Sequence, residues 1–194
     1  KISNNEDFTI NSVTVGKGAN SVSANTVLGA SALDAAVTGN YNTAVGYQTL
    51  TANTSGSRNT AIGHNSMVAN TTASYNTAVG DLALTADTTG GFNTALGSEA
   101  LEANTTAHNN VGVGWRALHW NTTGTQNVSV GTSALAANTT AMNNTAVGHT
   151  ALHANTTGTQ NVAVGSFALD ANTTANDNTA IGTYTLGDNT TGAS

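Results

Sequence analysis

Few side chains here can do acid–base, metal or nucleophilic chemistry. The 194-residue chain has five histidines, ten carboxylates, four Lys/Arg and no cysteine. Without cysteine there is no disulfide, no thiolate metal site and no thiol nucleophile. The histidines are His64, His108, His119, His149 and His153. Zinc, bound at about 2.1 Å by each ligand, needs three or four donors converging on one point. His149 and His153 stand close together, but no third ligand accompanies them. The expectation is no metal site within one chain and no cofactor. Glu99 and Glu102 are near enough in sequence for the roughly 5–9.5 Å separation of glycosidase carboxylates. They, Asp81 and Asp170 stand at variable positions, however, and read as solubilising charge. No G-x-S-x-G elbow or phosphate-binding glycine loop occurs, so no enzyme is expected.

Trp115, Arg116, His119 and Trp120 hold both tryptophans of the chain within six residues. Aromatic rings beside polar groups stack on sugars, so these four are the candidate contact with a saccharide or receptor. Local packing variation is the plainer reading. Tyr47, Phe167 and Tyr184 are also at variable positions.

What must position these groups is a repeat. The Asn opening an N-T-A-V-G-like segment recurs at Asn25, Asn42, Asn59, Asn76, Asn93, Asn110, Asn127, Asn144, Asn161 and Asn178, always 17 residues on. Ten repeats fill 25–194, with consensus N-(T/V)-A-(V/I/L)-G-x-x-A-L-x-A-N-T-T-(G/A)-x-x. Position four runs from Leu28 to Ile181, position five is always Gly, and position nine is Leu or Met67. Residues 1–24 form a lead-in or cap with a degenerate repeat.

A period without insertions gives each repeat one identical rung. Seventeen residues are too few for a helix pair and lack Glu, Lys and Arg. They suit one turn of an all-β solenoid, with two short strands and two tight corners. In N-T-A-V-G, positions two and four face one side and position three the other. Leu at nine returns to the interior, and N-T-T-G/A has turn chemistry. Rungs about 4.8 Å apart make ten turns a rod about 48 Å long. His119 and His153, both at position ten, are then about 9.6 Å apart, too far to share an ion. Gly and Ala alternate at position fifteen from the second repeat on, which reads either as duplication of a two-repeat block or as 17 residues making half of a larger turn; the one-turn reading is kept. The Asn-x-Thr/Ser triplets at Asn53, Asn70, Asn104, Asn121, Asn138, Asn155, Asn172 and Asn189 recur with the repeat and read as turns.

The same geometry explains the composition. A narrow coil accepts Ala, Val and Leu, and identical residues on successive rungs form ladders. The opening Asn at 42, 59, 76, 93, 110, 127, 144, 161 and 178 is the best candidate for an amide ladder of the cross-β kind. Proline, absent here, would remove a ladder hydrogen bond. A coil this thin cannot hold positions two, four and nine all inside. Some apolar surface is therefore expected to meet a partner coil, more so where Val111, Val128 and Val162 replace Thr at position two; a monomeric solenoid with one exposed Thr-rich face is the alternative.

Charge narrows the classes further. Charged residues are 7% of the chain and the net charge is −6, which argues against a phosphate-tracking nucleic-acid surface. No apolar run approaches the roughly 20 residues of a membrane helix. No membrane insertion is expected.

Residues 11–24, N-S-V-T-V-G-K-G-A-N-S-V-S-A, resemble the repeat of trimeric autotransporter adhesin heads, whose N-S-V-A-I-G motif builds a left-handed β-roll. Repeats 25–194 resemble still more the arrays of phage tail fibre proteins, as does the lead-in F-T-I-N-S-V-T-V-G-K-G at 8–18. The resemblance implies a β-roll, a parallel homotrimer and an extracellular place on a virion tail or cell surface. Its implied role is a structural fibre segment supporting attachment to a host. Two alternatives accompany it. One is a solenoid whose side grips glycans. The other is an ice binder using the Thr ladder Thr71, Thr88, Thr105, Thr122, Thr139, Thr156, Thr173 and Thr190.

Overall fold

The computed structural model describes residues 7–192. Residues 1–6 of the expected lead-in, and 193–194 of the last repeat, lie outside the described residues. The chain is an all-β solenoid of 17-residue turns, without α-helix among the described residues.

Each repeat contributes one strand at positions two to four. The strands are β1 (Phe8–Ile10), β2 (Val13–Gly16), β3 (Thr26–Gly29), β4 (Thr43–Val45), β5 (Thr60–Ile62), β6 (Thr77–Val79), β7 (Thr94–Leu96), β8 (Val111–Val113), β9 (Val128–Val130), β10 (Thr145–Val147), β11 (Val162–Val164) and β12 (Thr179–Ile181). They form one sheet in sequence order. From β3 to β12 the pairing is parallel and in register, Thr43 on Thr60 and Ala44 on Ala61. One repeat is thus one whole turn, and nine turns join these ten strands. β1 and β2 pair antiparallel and close the first edge. There the Asp7 carboxylate accepts the N–H groups of Lys17 and Gly18 at 2.6 and 2.7 Å.

Alternation along the strand decides what is inside. Position three, Ala in most repeats, is buried, while positions two and four face outward and are half-exposed in most turns. The inner alanines meet Ala at eight and Leu at nine, and Leu50, Leu84, Leu101, Leu118, Leu135, Leu152 and Leu169 have no exposed surface.

The expected second strand is absent from each turn. Beyond position five the backbone takes left-handed φ at seven, nine and seventeen, as at Glu99 (57°), Leu101 (53°) and Asn109 (60°). These residues reverse the direction in which the peptides donate. Glu99 N–H donates to Asp81 of the preceding turn at 2.9 Å, but Leu101 N–H donates to Ala117 of the following turn at 3.0 Å. Inter-turn hydrogen bonding continues without a regular strand. A left-handed Leu costs roughly 1–2 kcal/mol. Burying its side chain, about 1.5–3 kcal/mol, offsets that.

The other end of the cross-section is polar, with Asn at one and twelve buried in two columns. Asn144 is typical of the first column. Its Nδ2 donates to Gly158 O at 2.9 Å, closing its own turn, and its Oδ1 accepts the backbone N–H of Asn161 at 2.9 Å. The expected exchange between side-chain amides does not occur along most of this column. It occurs in the second column, where Asn138 Nδ2 donates to Asn121 Oδ1 at 2.8 Å and to Ala141 O at 3.1 Å. The first Asn lies opposite the end of its own turn, so its amide N–H is drawn to that carbonyl.

Candidate functional site

The Trp115–Trp120 cluster sits where repeats five to eight depart from the consensus. Position ten faces outward beside the carbonyl of position seven one turn earlier. In two turns a Thr there donates to that carbonyl, Thr51 Oγ1 to Ser31 O at 2.7 Å and Thr85 Oγ1 to Asn65 O at 3.1 Å. His119 and His153 stand in its place. Their Nδ1 atoms lie 3.2 Å from Glu99 O and 3.0 Å from Ser133 O. A carbonyl only accepts, so each Nδ1 carries the proton and each Nε2 is left as an acceptor. Between them position ten is Ala136, whose methyl leaves a notch. The result is a cavity of about 210 Å³ lined by Arg116, His119, Trp120, Ser133, Ala136, Ala137 and His153.

Of the four expected contact residues, Arg116, His119 and Trp120 line this cavity, and Trp115 does not. Trp120 occupies position eleven, Ala in most repeats, and is 59% exposed. Its ring meets the buried His119 ring edge-on at 4.4 Å. Trp115 is held instead by the Arg116 guanidinium, 4.7 Å above its ring. Arg116 Nε also pairs with Glu99 Oε2 at 2.5 Å. His153, weighed in the sequence only as a metal ligand, and Ser133, Ala136 and Ala137 complete the lining beyond the expected contact residues. The signal for them was the order His119–Ala136–His153 at one repeat position.

Glu99, Glu102 and His119 bring one donor atom each within 4.8 Å of one another. His119 Nδ1 is 3.3 Å from Glu102 Oε2. The Arg116 guanidinium already pairs with Glu99, and the His119 Nδ1–H is shared between Glu99 O and Glu102 Oε2, so these groups satisfy one another across two adjacent turns. His64 pairs with Asp81 at 2.7 Å, and His108 Nδ1 accepts the Gly91 N–H at 2.8 Å. The expected Thr ladder is also engaged internally. Thr71 Oγ1 donates to Thr88 O, and Thr122 Oγ1 to Thr139 O, both at 3.0 Å.

Two surface features span many turns. One is a column at position seventeen in the first four repeats. Arg58 lies between the rings of Tyr41 and Tyr75, at 5.3 and 5.5 Å, and Tyr75 stacks on Phe92 at 4.8 Å. The other is the outer face of the sheet. The register places Phe8, Val15, Leu28, Val45, Ile62, Val79, Leu96, Val113, Val130, Val147, Val164 and Ile181 in one outward line crossing all twelve strands. No charged residue occupies positions two to four of any repeat.

The chain is thus a β-solenoid whose outer sheet face carries an apolar column beside a mostly Thr column, with one notched side. No family model, curated protein or solved structure matches it.

Proposed function

We propose that the chain is a structural segment of an extracellular fibre, built as a parallel homotrimer in which the outer sheet faces pack together. The observation that carries this is the unbroken twelve-residue aliphatic and aromatic column on the outer face. A contiguous apolar strip this long and free of charge is unusual on a free surface. A second copy suits it well, because parallel copies share one rung pitch and set column against column along the whole rod. Closed rotational symmetry satisfies every copy without open-ended assembly. The resemblance of the repeats to tail fibre and adhesin arrays supports three copies and a role in attachment at a virion tail or cell surface. Low charge, absent proline and bonding between every pair of turns suit a stiff spacer.

Light scattering tests the association. The expected mass is three times the 19.3 kDa chain, and Val113→Lys with Val147→Lys should reduce it to one. A wild-type monomer at micromolar concentration overturns the reading.

The notch favours a second, compatible role as a saccharide contact on the fibre's side. Trp120 offers an exposed aromatic face, and the two Nε2 atoms accept from sugar hydroxyls. Screening the wild-type chain against immobilised glycans tests it. Binding that Trp120→Ala abolishes supports the role, and absence of binding to any glycan removes it.

A further inference from the structure

The second Asn column is interrupted once. Position twelve is Asn from repeat two to repeat ten, except for Asp87 in repeat four. Asp87 has no exposed surface. Toward repeat five it behaves as an Asn would. Its Oδ1 accepts from Asn104 Nδ2 at 3.0 Å and from the Gly90 N–H at 3.0 Å. Toward repeat three the link changes. Elsewhere the Nδ2 of each Asn donates to the Oδ1 one turn back, as Asn70 does to Asn53 at 2.8 Å and Asn172 to Asn155 at 2.9 Å. Asp87 has Oδ2 where that Nδ2 would be. Asp87 Oδ2 and Asn70 Oδ1 are both buried with no hydrogen-bond partner. The orphaned Asn172 Oδ1 differs, because the next residue of the column is an Asn that has a donor, and Asn189 Nδ2 bonds to Gly192 O instead.

Two acceptors meeting in a buried column leave both unsatisfied, and an anion there is costly. A proton removes both faults. We propose that Asp87 is a protonated carboxylic acid in the folded rod, its Oδ2–H donating to Asn70 Oδ1, and that its ionisation weakens the joint between repeats three and four. The proton comes from water and returns to it.

The surroundings agree. Repeat three presents Asn70, repeat five presents Asn104, and the residue's own turn presents the Gly90 N–H, none of them charged. His108, at the same corner, is turned to the Gly91 N–H. Burial pushes the Asp87 carboxyl up from 3.8 to about 7, against the opposing pull of Asn104 and Gly90. The folded chain therefore holds a proton that the unfolded chain has released between about pH 4 and 7. This group's contribution to stability is full below that window and is lost as pH rises through it.

Asp87→Asn restores the residue of the other repeats, so the variant is expected to fold. Thermal unfolding of both proteins from pH 4 to 8.5 is compared, which cancels the other titrating groups. The wild-type midpoint should fall relative to D87N by several degrees between pH 4 and 7 and then stay parallel. Hydrogen exchange gives a local readout. The Thr71 and Thr72 amides, both bonded to Thr88 O, should lose protection about tenfold or more from pH 6 to 8 after correction for intrinsic rates. Thr122 and Thr123, bonded to Thr139 O, should not. Parallel pH profiles for the two proteins, or equal protection changes at both joints, overturn the proposal.

Discussion

Asn144 donates its backbone N–H to Asn127 Oδ1 at 3.0 Å, so the side chain of one turn fixes the backbone of the next. Asn127 Nδ2 also holds Ala141 O at 2.9 Å. One side chain closes its own turn and positions the following one. Asn127→Ala leaves a buried N–H and a buried carbonyl unpaired, at about 1–3 kcal/mol each. Urea unfolding should show a loss of about 3 kcal/mol. Asn178→Ala should cost clearly less, because Asn178 Nδ2 bonds to Asn161 Oδ1 and to Asn176 O and does not close its own turn.

Asn138 offers the reverse of the Asp87 experiment. It donates to Asn121 and Ala141 and accepts from Asn155. Asn138→Asp keeps the acceptor and removes the donors. Above pH 7 the variant should melt well below the wild type, and acidification to pH 4–5 should recover part of the loss. Its difference from the wild type should vary with pH across the window that Asp87 occupies. A pH-independent difference would mean that the column tolerates a buried carboxylate.

Much of the rod was legible because its period is fixed and its strand alternates. Positions two to four could be placed on opposite faces from Thr, Ala and Val alone, and Leu at nine could be placed inside. The second half of the turn was not legible. Left-handed Glu99 and Leu101 carry no sequence mark, since glycine does not stand there. Asn138 and its equivalents were hidden in turn chemistry, because N-T-T-G reads as a corner before it reads as a buried amide. Alternation at fifteen was read as duplication, yet a Cβ on Gly124 would lie 2.2 Å from Ala141 O, so sterics also hold glycine there. The notch at Ala136 was illegible for another reason. It exists only because a small residue lies between two histidines that are 34 residues apart.

Gly97 and Gly112 should respond very unequally to the same substitution. Gly97, at position five, has φ +136°, and its Cβ would lie 2.6 Å from Gly114 O. Both the conformation and the approach of the next turn exclude a side chain. Gly97→Ala should cost several kcal/mol or prevent folding. Gly112, at position three, stands where most repeats carry Ala. Its Cβ would meet Ala117 O at 3.1 Å and Leu101 Cγ at 3.3 Å. Gly112→Ala should be within about 1 kcal/mol of wild type, because lower unfolded-state entropy offsets a small shift of Leu101. Circular dichroism melts of the two variants check this.

Arg58 holds the aromatic column at position seventeen together by facing two rings at once. Exposed cation–π contacts contribute roughly 0.5–1 kcal/mol each. Arg58→Ala should therefore cost about 1–2 kcal/mol while leaving the left-handed backbone at φ 60° unchanged in kind. Arg58→Phe should recover most of that, since Phe92 already stacks on Tyr75 at 4.8 Å in the same column. Arg58→Gln should behave like Ala, because a neutral amide has neither the charge nor the ring. If Gln matches the wild type in thermal unfolding, the column is held by general surface coverage, and the guanidinium contributes nothing specific to it.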